Sequence, residues 1–304
     1  MKRRYTALCA LCFCLLLFAH APANERINRF LGLTKKTAFT LVHKIECQFN
    51  TYHPQGLLKI GDHFIISSVQ VLEPVQFYAQ PDEQGYDRST GRGLGHLFKV
   101  DAKGRLIKEL ELAEGDQYHP SGIDFDGRHI WVSLAEYRPN SRSTLFKVDM
   151  DFNQAEKMFT VQDHIGTLAY NRDSEQVYGF SWGSRRIYCW TTTGIELYRY
   201  SNPSHFLDYQ DAKYLGRDLV LAGGLNKWLI NGSGDPRTVD IGGLALFRPS
   251  DGKIIHEIPL NLRAPDGGTV TRNSMDIADE NQSLQFYFAP EDNQTTIYVY
   301  RPAL

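Results

Sequence analysis

The sequence predicts an all-β fold, a β-propeller of five four-stranded blades closed by an N-terminal strand, and three observations predict it. The first is an internal period: five units open with a polar residue, two variable positions, a small or acidic residue and an apolar one, at His53–Leu57, His119–Ile123, His164–Leu168, His205–Tyr209 and Asn273–Ile277. Self-similarity of this kind marks repeat architectures. The second is the series of strand-like runs inside each unit. HFIISSV and then GHLFKVD follow the first opening, HIWVSLA and then STLFKVD the second, and comparable pairs the other three, all rich in β-branched and aromatic residues. A turn with Gly, Asn or Asp and a fourth run such as LIKELEL or KIIHEIPL then complete a four-stranded blade. The third is a pair of matching deficits. The fifth unit stops near Arg301 without a fourth strand, while Ala38–Cys47 is a strand with no blade of its own. Pairing the two closes the ring and removes free edges.

Taken in chain order, Lys2, Arg3 and Arg4 precede an apolar stretch from Ala7 to Phe18, and Ala21-Pro22-Ala23 offers a small-residue cleavage site. That is the layout of a signal peptide over residues 1–23, and it predicts a mature domain over 24–304 in the periplasm or outside the cell. Cys9, Cys12 and Cys14 leave with the leader, so Cys47 and Cys189 remain, enough for one disulfide or two free thiols. The remaining chain has no apolar run long enough for a membrane span. The net charge of −2 becomes more acidic once the three basic leader residues are removed, and nothing in it attracts nucleic acid. Apart from a short helical turn around Arg26–Leu33, no helical period follows. The units are longer than the roughly 40–50 residues of common propeller repeats. Insertions at 72–95 and 224–242, both between second and third strands, account for the excess, and a degenerate blade hidden in one of them would make six.

Propeller topology brings the loops entering each first strand and the loops between second and third strands to one face. His53, His119, His164 and His205, with Asn273 in the fifth unit, therefore point toward one axial opening. Converging neutral imidazoles suit a transition metal such as zinc or iron, and they equally suit a polar pocket or hydrogen bonds that fix the blade turns. The intervening loops add Glu136, Tyr137, Arg138 and Arg142, then Trp182, Arg185 and Arg186, then Glu291 and Asp292. The arginines offer bidentate grips for an anion, Trp182 a face for stacking on a sugar or aromatic ring, and Glu136 a general acid or base opposite His119. Asp124, Asp208 and Asp276 stand near the starts of inner strands. There is no H-E-x-x-H or phosphate loop.

The stretch His53-PQGLLKIGDHFIISS with GHLFKVDAKGRLIKELEL resembles the opening blade of glutamine cyclotransferases, five-bladed secreted propellers that carry a glutamate at the end of the second strand, where this chain has Ser67 and Ser68. His119-PSGIDFDGRHIWVS resembles repeats of the strictosidine-synthase-like, gluconolactonase-like and NHL propellers. Both resemblances imply the fold more than a function. The leading functional expectation is an exported propeller that binds a small polar or anionic ligand at the histidine- and arginine-lined mouth. The second is a metal-dependent hydrolase or lyase at the same place, with His53, His119, His164 and His205 as ligands and Glu136 moving protons. The third is a protein-interaction scaffold whose partner seats on the 72–95 and 224–242 insertions.

Overall fold

The computed structural model describes residues 25–230, 237–280 and 283–303, so the leader expected over 1–23 lies outside the described residues. The strands are β1 (Phe39–Glu46), β2 (His53–Ile60), β3 (His63–Glu73), β4 (Arg92–Asp101), β5 (Leu106–Leu112), β6 (His119–Pro120), β7 (Asp124–Phe125), β8 (His129–Ala135), β9 (Ser143–Asp149), β10 (Ala155–Val161), β11 (Ile165–Asn171), β12 (Gln176–Ser181), β13 (Arg186–Thr191), β14 (Glu196–Ser201), β15 (Asp208–Gly216), β16 (Leu219–Ile230), β17 (Arg237–Arg248), β18 (Lys253–Leu260), β19 (Ser274–Glu280), β20 (Ser283–Ala289) and β21 (Thr296–Pro302). They form five antiparallel four-stranded blades, ordered β2-β3-β4-β5, β6/β7-β8-β9-β10, β11-β12-β13-β14, β15-β16-β17-β18 and β19-β20-β21-β1. β1 pairs antiparallel with β21, Phe39 opposite Pro302 and Glu46 opposite Thr296, so the N-terminal strand closes the ring as expected. Neither insertion holds a sixth blade among the described residues. The first carries a single Phe77–Arg88 bridge, and the second lengthens the β16–β17 hairpin.

The second strand of each blade reads as a nearly unbroken apolar run because it is covered on both faces by neighbouring blades. β3 is buried from Phe64 to Val69, whereas the outermost strands β5 and β14 are largely exposed. Five apolar clusters fill the five blade-to-blade interfaces, for example Leu58, Ile65, Ile130 and Val132 between the first two blades. Residues 25–31 form a short helix whose Ile27 and Phe30, followed by Leu33, fill the interface between the fourth and fifth blades. Arg26 and Arg29 tie it to Asp279 at 3.0 and 3.1 Å.

Cys47 and Cys189 are both free and buried, in different interfaces, which settles the cysteines as two thiols. Burial pushes the Cys47 thiol up to about 12 and the Cys189 thiol up to about 11. Thiolate is the reactive form. The folded chain without residues 1–23 is therefore expected to leave Ellman's reagent untouched at pH 8 and to release two equivalents of product once guanidinium unfolds it. Fast reaction of the native state would contradict this packing.

The axis is plugged. Asp124 on β7, Asp211 on β15 and Asp276 on β19 turn their carboxylates into the centre of the ring, where they accept backbone N–H groups from other blades. Asp124 Oδ2 takes Tyr170 N at 2.9 Å and Tyr214 N at 3.0 Å, Asp211 Oδ2 takes Leu57 N at 2.9 Å and Met275 N at 3.1 Å, and Asp276 Oδ2 takes Lys59 N at 2.6 Å. Lys213 Nζ sits among them, 2.5 Å from Asp211 Oδ1 and 2.8 Å from Ile123 O. So close an approach of strands needs a missing side chain. Gly122, between β6 and β7, bridges Thr167 of the third blade, and a Cβ there would lie 2.7 Å from Asp211 Oδ1.

Candidate functional site

Above this plug the inner strands open into a cavity of about 210 Å3, lined among others by His53, His119, Tyr137, His164, Trp182 and Asp208. The fold itself aims the first three histidines there. His53 opens β2, His119 opens β6 and His164 stands one residue before β11, so each marks the upper end of an inner strand. Tyr137 and Trp182 come from the loops between second and third strands, Trp182 on a single 3-10 turn, Trp182–Ser184.

The floor is aromatic and neutral. Tyr137 stacks on His119 with ring centroids 4.4 Å apart, His119 and His164 lie 5.4 Å apart, and Trp182 meets His164 edge-on at 4.7 Å. His164 Nδ1 lies 2.7 Å from the Glu136 carbonyl oxygen. A carbonyl only accepts, so Nδ1 carries the proton and Nε2 keeps a bare lone pair. A Cβ on Gly166, which lines the cavity, would lie 3.6 Å from that Nε2. Burial drives the His164 imidazole down to about 4, and burial with the neighbouring His164 and His53 holds His119 well below the usual histidine range. His119 Nδ1 is buried without a hydrogen-bond partner. Above the floor, burial raises the Asp208 carboxyl against the pull of Arg185, 3.8 Å away, and of His205.

A wider basin of about 1000 Å3 continues outward past Asn273, Asp292, Asp266, Arg272 and Glu291. His53 Nδ1 and Asn273 Nδ2 share Asp292 Oδ1 at 2.8 and 3.2 Å. Asp266 takes Arg272 at 2.6 Å, and Glu291 accepts the hydroxyl of Tyr298.

His205 stands apart from the other three histidines. It is exposed on the loop before β15, where its Nδ1 meets Arg185 Nη1 at 2.9 Å, and it is not among the residues lining either cavity. Asp208 occupies the place in the fourth blade that histidine holds in the first three. Glu136 is buried, its carboxylate held by Arg138 at 2.8 Å with Arg142 at 3.8 Å, and none of these three lines the cavities. Arg138 also lies over the Tyr86 ring at 3.5 Å. Arg185 donates to Gly183 O at 2.8 Å and Ser204 O at 3.1 Å, and Arg186 pairs with Asp163 at 3.0 Å. Ser67 and Ser68 are buried and bonded to the carbonyls of Ser121 and Thr51. Gln55, Ser181, Tyr209 and Gln210 also line the inner cavity. Their signal is position, next to an inner-strand opening or a second-strand end. Nor do the axial histidines form a ready ligand set. Among the described residues, the His, Cys, Asp or Glu group with ligand atoms all within 4.8 Å of one another is His96, Glu109 and Glu111, in the first blade.

These features define a five-bladed β-propeller with a plugged axis and a histidine-floored, aromatic-walled cavity at one mouth. The chain belongs to DUF6454, a family of unknown function whose model matches residues 12–304. No curated protein matches it. Among solved structures it is similar to the tail fiber of Staphylococcus aureus phage P68 (10% identity, TM-score 0.48, 91% of this chain against 55% of that one), so it spans only about half of that relative's length. It is also similar to a luciferin-regenerating enzyme (9% identity, TM-score 0.46, 88% and 95% covered) and to MPT-4, a mannose phosphorylase from Leishmania mexicana (10% identity, TM-score 0.47, 86% and 88% covered).

Proposed function

We propose that this chain is an exported binding protein that holds a small, donor-rich polar ligand, uncharged or cationic, in the axial cavity. One observation carries the reading: the floor presents a buried neutral histidine, His164, whose Nδ1–H is taken by the Glu136 carbonyl, so that Nε2 keeps a bare lone pair beside cavity-lining Gly166. A buried polar atom without a partner is costly, so a ligand hydroxyl or ammonium that supplies one gains more than it would in water. The anionic alternative loses its grips, because Arg138 and Arg142 are held by Glu136 and Arg185 by Gly183 O and Ser204 O, while in the lining five carboxylates, Asp208, Asp240, Asp266, Glu291 and Asp292, outnumber the two cations Lys227 and Arg272, the latter paired with Asp266. Tyr137 and Trp182 supply walls against which the apolar face of a sugar-like ring or an amine packs. Export rests on the leader pattern of residues 1–23.

The test is a thermal-shift and calorimetry series with neutral polyols, primary and quaternary amines, and carboxylates or phosphates as separate arms. Polyols or amines are expected to raise the melting temperature, with affinity falling at least tenfold in His164→Asn, which keeps the donor to Glu136 O and removes Nε2. Stabilisation by anions alone, or by none of the panel, would overturn the reading.

A second reading, a partner protein at the rim, has its own observation. Phe77 in the first insertion and Trp228, Leu229 and Ile230 at the end of β16 are exposed, 68%, 52%, 62% and 48% respectively, where a soluble surface usually keeps large apolar side chains dispersed.

A further inference from the structure

We propose that His96, Glu109 and Glu111 form a divalent transition-metal site on the first blade, separate from the axial cavity and not dependent on the ligand reading of it. The sheet builds the cluster by register. His96 on β4 lies opposite Glu111 on β5, and Glu109, two residues earlier on the same strand, projects from the same face. The ligand atoms of all three fall within 4.8 Å of one another, with His96 Nδ1 already 2.7 Å from Glu109 Oε1.

The histidine is held as a ligand would be. It is 1% exposed and packed against the rings of Phe98, 5.2 Å away at 8°, and Tyr52, 5.0 Å away at 23°, which also touch each other at 6.4 Å, so the imidazole is held in place. Its far nitrogen, Nε2, lies 3.3 Å from Gln70 Oε1. A histidine that gives its second N–H to a carbonyl oxygen presents a lone pair on its first nitrogen, and that is the usual support behind a metal-bound imidazole. Here the lone pair would face a carboxylate oxygen, an acceptor against an acceptor, unless a proton or a metal ion lies between them. The two glutamates open to solvent, which gives an ion an entry path and leaves coordination positions for water. One imidazole with two carboxylates suits zinc, cobalt, nickel or copper, whereas magnesium and calcium prefer oxygen ligands alone.

The experiment uses the mature chain, dialysed against chelator and then titrated with zinc or cobalt by calorimetry, with copper(II) electron paramagnetic resonance to read the donor atoms. One equivalent is expected to bind, with coupling from a single nitrogen in the copper spectrum. Glu109→Gln/Glu111→Gln, both solvent-facing and therefore compatible with folding, is expected to weaken binding at least thirtyfold with an unchanged circular dichroism spectrum. His119→Asn/His164→Asn is expected to bind as the parent does. Absence of stoichiometric binding, binding that survives the double glutamine variant, or binding lost instead with the axial histidines would each overturn the assignment.

Discussion

Replacing Asp211 by alanine is expected to cost about 5 kcal/mol or more, enough to bring many domains of this kind close to unfolding. Its carboxylate has two separate tasks at the centre of the ring. One oxygen holds the ammonium of Lys213, itself 3% exposed, at 2.5 Å, and the other accepts the N–H groups of Leu57 and Met275 from the first and fifth blades. Removing one partner of a buried ion pair costs about 3–5 kcal/mol, because the other charge is left without compensation. Each orphaned amide adds about 1–3 kcal/mol. Asp211→Asn retains a side-chain oxygen for the amides and is expected to fall between the parent and the alanine variant. Adding Lys213→Met to Asp211→Ala removes the stranded charge, so the double variant is expected to regain several kcal/mol while remaining below the parent. Urea denaturation of the four proteins measures the cycle. An Asp211→Ala variant that melts within about 3 °C of the parent would show that the plug does not hold the blades together.

The fold was legible because a propeller writes its geometry repeatedly. Each blade restates the same opening and the same sandwiched second strand, and the unmatched run at Ala38–Cys47 is complemented by the missing strand after Arg301. The site was legible to a smaller degree, and its gaps have local causes. In the fourth unit the opening pattern fits twice, at His205-FLD-Tyr209 and at Asp208-YQD-Ala212. Histidine favours the first register, while the second aligns Asp211 with Asp276, each three residues after the residue at the mouth. The plug needs that register, but the plug is a contact between blades and no single blade announces it. Arg138 was read as a ligand grip although Glu136 stands two residues before it, close enough to claim it within the same loop. The pairing of His96 with Glu111 and Glu109 was within reach of the sequence. The alternation in LIKELEL and the turn at DAKG set that register, which runs along a single blade and not toward the axis.

Acidification is expected to separate the parent from His164→Asn by about 2 kcal/mol at pH 5, with the parent losing more. The His164 imidazole falls from its ordinary 6.5 to about 4 on folding, chiefly through burial. Below pH 6.5 the unfolded chain therefore binds a proton that the folded chain refuses, and stability drops as pH decreases until about 4. About 1.5 pH units of that window are traversed by pH 5, at roughly 1.4 kcal/mol per unit. Two buried carboxyls titrate with the opposite sign. Burial raises Asp211 to about 7, against the pull of Lys213, and burial raises Asp276 as well, so their contribution is fullest at acid pH and is lost as pH rises through the folded value. The parent alone thus reports a sum of opposing terms. The difference between the parent and His164→Asn cancels the carboxyls, which lie in the plug in both proteins, and leaves the cavity histidines, His164 directly and His119 through the loss of its neighbour. Chemical denaturation of both proteins from pH 8 to pH 5 measures it. A difference that stays constant across that range would mean that His164 is not held neutral by its surroundings, and with it would go the bare Nε2 on which ligand recognition depends.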